Sequence, residues 1–91
     1  MKRPYFESVR DVYIKAASDL YKLAAEAEIE TADPESFLAR GDELRRQAHE
    51  TWPLSVRQDR RLYMLRAKGE ANTREGREKV ARLREALGIK P

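Results

Sequence analysis

Ninety-one residues with 38% charged side chains and a net charge of +3 make a short, strongly polar chain, expected to form one domain over 1–91. The 12 alanines among its apolar residues leave few large side chains for a core, and so small a domain has a thin stability margin. With no cysteine, disulfides and thiolate metal sites are excluded, and no stretch approaches the roughly 18 apolar residues that a membrane crossing needs.

Behind its first basic residues, the opening MKRPYFESVRD lacks the apolar run of a secretory signal. In it Pro4 precedes the first helical pattern. Phe6, Val9, Tyr13, Ala16, Leu20, Leu23 and Ala27 follow at intervals of three and four, predicting helix 1 over 5–30. A second line, Ile14, Ala17, Tyr21 and Ala25, lies on another face of the same helix. Two apolar lines imply two neighbours. Both can be helices of a three-helix bundle, or one can be a docking face built around Ile14, Ala17 and Tyr21.

The TADPES segment interrupts the pattern. Asp33 can accept from free N–H groups, and Pro34 is pre-set for a first helical position. Phe37, Gly41, Leu44 and Ala48 then predict helix 2 over 34–52, stopped by Pro53. Trp52, beside that proline, is expected either to plug one end of the core or to anchor a partner.

Ser55 and Gln58 stand at capping-box spacing. After them Leu62, Leu65, Gly69, Asn72, Gly76, Val80, Leu83 and Leu87 keep one register, predicting helix 3 over 55–87. Against continuity stand Gly69, Asn72 and Gly76, each costing up to about 1 kcal/mol in a helix interior, and Thr73, which can cap a new helix. A kink or break near 69–73 therefore stays open. Gly88, followed by Ile89 and a final proline, marks the end. No period-2 run suggests a strand. The fold class is all-α: three long helices in an antiparallel bundle or extended hairpin. A thin core and an overhanging third helix favour a dimer. The small residues Ala16, Gly41, Gly69 and Gly76 are expected where helices approach closely.

Charge divides the chain. Residues 1–50 hold 8 basic and 11 acidic side chains, a net of −3, and residues 51–91 hold 11 and 5, a net of +6. In the second half, Glu75 with Lys79 and Glu78 with Arg82 are set for ion pairs one turn apart. At about 100° per residue, Arg57, Arg60, Arg61 and Lys68 share one arc centred on Met64. None of the four has an acid three or four residues away, whereas Arg66 has Glu70. The strip can be neutralised across the bundle by Glu28, Glu30, Asp42 or Glu43, or it can contact phosphates or an acidic protein surface.

Catalytic patterns are missing. His49 is the only histidine, no glycine-rich phosphate loop occurs, and the serines stand in no nucleophile motif. The expectation is a cytoplasmic, non-catalytic helical interaction protein without cofactor, metal or small-molecule substrate. It would act as a regulator, adaptor or inhibitor of the kind that phage and mobile-element genomes encode, binding a protein partner or a second copy through Ile14, Ala17, Tyr21 and Trp52. The alternative is a nucleic-acid-binding regulator using Arg57, Arg60, Arg61 and Lys68.

Overall fold

In the computed structural model the chain forms four helices, α1 (Tyr5–Glu26), α2 (Pro34–Thr51), α3 (Val56–Ala71) and α4 (Arg74–Ala86). No strand occurs among the described residues. The structure describes residues 5–88, with side chains from Ser8 onward. Pro4, the Phe6 side chain, Ile89 and the final proline, all used in the sequence reading, lie outside them.

The helix starts follow local capping chemistry. Asp33 caps α2 by accepting from the Glu35 N–H, with Pro34 in the first turn. Ser55 and Gln58 close the expected capping box on α3 in both directions. Trp52 ends α2 in an extended conformation (φ −159°, ψ 124°), as the following Pro53 requires. At the far end, Gly88 has φ 72°, the left-handed conformation that closes a helix after α4.

Two boundaries differ from expectation. Helix 1 stops at Glu26 rather than near 30. The Asn72 amide donates to the carbonyl oxygens of Ala24 and Ala27, both at 2.8 Å, so part-buried carbonyls at the C-terminal end of α1 are satisfied from outside the helix. Extension would also place Glu26, Glu28 and Glu30 in the last turn, at the negative end of the helix dipole. The second difference is the break in the predicted third helix. Thr73 takes an extended conformation (ψ 162°) and accepts from the Gly76 N–H at 3.0 Å, starting α4 as a separate helix. The bend brings α4 so close to the end of α3 that a Cβ on Gly76 would stand 2.9 Å from the Ala71 Cα and run into the Glu70 carbonyl oxygen.

The core gathers on α1. Ala17, Tyr21 and Ala24 are buried with Leu38 of α2 and Leu62 of α3, and Ile14, Phe37, Leu44, Leu54 and Leu65 pack around them. Glycines permit the close approach. A Cβ at Gly41 would lie 2.6 Å from the Tyr21 ring, and one at Gly69 would lie 3.0 Å from the Ala24 Cβ. Helix α1 packs on both α2 and α3, which touch each other much less, and α4 touches α3 alone. The chain is correspondingly elongated, 53 Å long and 19 Å thick.

Candidate functional site

Of the two apolar lines on α1, the second is the one that faces inward. Ala17 and Tyr21 are completely buried, and Ile14 packs against them. The expected docking face of Ile14, Ala17 and Tyr21 is therefore occupied by the chain's own α2 and α3. The physical reason lies in the partners: Gly41 leaves a hollow that the Tyr21 ring fills, and Gly69 leaves one shared by Ala24 of α1 and Leu38 of α2. The first line keeps more solvent: Val9, Tyr13, Ala16, Leu20 and Ala27 are half-buried and Leu23 is 49% exposed. Trp52 is 41% exposed, so it does not seal the core as a plug.

Polar contacts absent from the sequence reading tie these helices together. Tyr21 donates to Asp42 at 2.6 Å, and Arg66 grips both oxygens of the same carboxylate at 2.8 and 3.1 Å. Burial would raise the Asp42 carboxyl, but the hydrogen bonds from Arg66 and Tyr21 outweigh it and hold the group below the ordinary carboxylate value. Burial, helped by the Asp42 hydrogen bond, pushes the Tyr21 hydroxyl well above the ordinary phenol. Arg45 of α2 pairs with Asp59 of α3, and buried Arg10 donates to the Pro53 carbonyl oxygen at 3.0 Å, fixing α1 to the α2–α3 turn. Between α2 and α3 runs an open cleft of about 620 Å³. Its cations Arg45, Arg46 and Arg66 already face Asp59, Glu50 and Asp42.

The basic strip has a different fate. Arg57, Arg60, Arg61 and Lys68 all lie on α3 and are all exposed. None of the acids expected to neutralise them does so: Asp42 is held by Arg66, Glu43 pairs with Arg40, and neither Glu28 nor Glu30 forms an ion pair with the strip. Among the described residues the four cations have no carboxylate partner. From Arg57 to Lys68 the strip runs roughly 17 Å along the helix. Met64 and Tyr63 are exposed beside it. On α4, by contrast, the expected pairs Lys79–Glu75 and Arg82–Glu78 are formed at 3.5 and 3.6 Å.

A second exposed surface comes from the break itself. Val80, Leu83 and Leu87 continue the register of α3, yet after the turn at Asn72–Thr73 they no longer face the core and are 37%, 60% and 65% exposed. Periodicity alone placed them inside. The signal for their exposure was Thr73 with a glycine three residues on. Among the described residues no helix is long and apolar enough to cross a membrane, and no group of three His, Asp or Glu side chains is placed to hold a metal ion.

No protein family, no curated protein and no solved structure matches this chain.

Proposed function

We propose that this chain is a non-catalytic nucleic-acid-binding protein that holds phosphates on the outer face of α3. One observation carries the reading: Arg57, Arg60, Arg61 and Lys68 stand exposed along one line while the acids able to neutralise them are engaged elsewhere or lie apart. Unpaired cations on a surface gain little from one another. Against a polyanion each displaces condensed counterions, and that release drives association. Arginine adds paired N–H donors to the phosphate oxygens, and lysine adds a point charge. Contacts of this kind position a protein on a strand or duplex without reading its bases.

The test is fluorescence anisotropy with a random-sequence duplex and with single-stranded RNA, comparing the native chain with the Arg57→Gln, Arg60→Gln, Arg61→Gln, Lys68→Gln variant. A control of equal net charge changes Lys15, Lys22, Arg40 and Arg46 to Gln. Of these, Lys15, Arg40 and Arg46 are already ion-paired. The strip variant is expected to lose binding and the control to keep most of it. Equal behaviour of the two variants would mean that net charge, not this face, attracts the nucleic acid.

A second reading is favoured by the apolar line on α4. Three neighbouring large side chains left in water at the end of a small chain mark a docking face for protein. In that reading the protein acts by presenting a helix face, as the sequence suggests, but the face belongs to α4 and not to α1.

A further inference from the structure

The free face of α3 is built from cationic and apolar side chains alone. At about 100° per residue, Arg57, Arg61 and Lys68 form one edge of it, Val56 and Tyr63 form the other, and Arg60 and Met64 lie between. All seven are exposed, and Val56, Tyr63 and Met64 are each more than half open to solvent. Across the arc from Tyr63 to Arg61 the helix carries no acid and no serine, threonine, asparagine or glutamine. The acids nearest in angle, Asp59 and Glu70, are paired with Arg45 and Arg66. In the groove where Arg61 meets α1, Asp19 pairs with Lys15 and Asp11 with Arg10.

Phosphate contact accounts for the cationic edge and gives the apolar edge nothing to meet. A duplex turns phosphates and sugars toward a helix laid on its backbone. The edges of its bases are read mainly by hydrogen bonds, for which this face offers arginine and no neutral polar side chain. A single strand differs, because its bases splay away from the phosphates and lay their flat faces on aromatic rings. Tyr63 makes no hydrogen bond and no ring contact among the described residues, so its ring is free to take a base. Met64 beside it is unbranched and polarizable, and adapts to whatever flat surface it meets. Arg60 stands between Val56 and Tyr63 and interrupts the apolar edge, whereas a helix lying in a lipid interface keeps an unbroken apolar face.

We propose that the α3 face takes a single-stranded nucleic acid, with phosphates on Arg57, Arg60, Arg61 and Lys68 and bases against Tyr63 and Met64. This inference rests on the phosphate-binding reading of α3 and names its substrate class: the cations alone hold a duplex, and the apolar edge adds affinity that only unpaired bases supply. A stacked strand carries one phosphate per about 3.4 Å, so a strip of roughly 17 Å spans about five nucleotides.

The experiment is fluorescence anisotropy with probes of equal length: an oligo(dT) strand, a mixed-sequence duplex and an abasic phosphodiester strand. The native chain is compared with Tyr63→Ala and Tyr63→Phe. Neither substitution changes the charge, and Tyr63 is a surface residue, so circular dichroism should show the same helix content throughout. The native chain is expected to bind oligo(dT) more tightly than the duplex, and about ten-fold more tightly than the abasic strand, the size of one base stacked on an aromatic ring. Tyr63→Ala should lower the oligo(dT) affinity by about the same ten-fold and leave the other two probes unchanged, while Tyr63→Phe keeps the native pattern. A native chain that holds the duplex or the abasic strand as tightly as oligo(dT), or a Tyr63→Ala loss equal on every probe, overturns the single-strand assignment and leaves the phosphate reading standing. Binding to none of the probes overturns the phosphate reading as well. Phosphatidylglycerol vesicles bound more tightly than oligo(dT), and lost in Tyr63→Ala, would give the apolar edge to lipid and overturn the assignment.

Discussion

The hydroxyl of Tyr21 on α1 donates to the Oδ1 of Asp42 on α2 at 2.6 Å, and Arg66 on α3 donates to that oxygen and to the Oδ2 beside it. One acid thus joins three helices that have only a small apolar core between them. Replacing Tyr21 with Phe keeps the ring against Gly41 and removes the hydrogen bond alone. The expected cost is about 1 kcal/mol, at the low end for a bond to a charged group because Asp42 is partly solvated. Urea unfolding measures it, and an unchanged midpoint would mean the bond holds nothing.

The same carboxylate sets an acid limit. Its folded value lies below the ordinary 3.8, so its contribution is complete above that value and is lost as pH falls through the lower folded value. Thermal unfolding of the native chain should therefore decline below about pH 4, and Asp42→Asn, less stable near neutrality, should decline less over that range. The Tyr21 hydroxyl acts in the opposite direction. Its folded value is raised, so its contribution is intact below the ordinary 10.0 and disappears as pH climbs beyond it. Tyr21→Phe should lack that alkaline decline. Parallel pH profiles for the native chain and both variants would contradict these assignments.

Gly41 is a question of space. An added methyl would lie 2.6 Å from the Tyr21 Cε1, and Tyr21 is fully buried and cannot swing aside. Gly41→Ala should therefore destabilise by about 1–2 kcal/mol by overpacking, even after the helix-propensity gain of about 1 kcal/mol for alanine. A stabilised variant in chemical unfolding would show that α1 and α2 sit farther apart.

At the elbow, Asn72 and Thr73 do separable work. Thr73→Ala removes the α4 cap and is expected to cost about 1 kcal/mol. Asn72→Ala leaves the Ala24 and Ala27 carbonyl oxygens without their donor, at about 1–3 kcal/mol. Loss of Asn72 should also speed amide exchange at the end of α1, while loss of Thr73 should speed it in the first turn of α4. Exchange that changes in the same places for both variants would refute the division.

Capping chemistry is local, which is why it could be read along the chain. Asp33 with Pro34 and Ser55 with Gln58 open helices where their spacing suggests, since each contact involves residues within one turn. Periodicity is blind to a change of axis. Val80, Leu83 and Leu87 keep the register of Leu62 and Gly69 across a break that turns them away from the core. The choice between the two apolar lines on α1 was equally hidden, because spacing is similar in both. It is decided by Gly41 and Gly69, which stand far from Tyr21 and Ala24 in sequence and touch them only once the helices pack. The isolation of the basic strip depends likewise on Arg66 taking Asp42 and Arg40 taking Glu43, and no local rule assigns those partners.

The most direct measurement of the central proposal is the salt dependence of binding to a random-sequence duplex by fluorescence anisotropy. Four phosphate contacts by Arg57, Arg60, Arg61 and Lys68 give a slope of log K against log salt near −3.6 per protomer, so affinity should fall by about 100-fold between roughly 50 and 200 mM salt. That slope should become much shallower in the four-residue glutamine variant. Absence of binding at the lower salt, or a slope unchanged by removing the strip, would contradict a phosphate-binding role for α3.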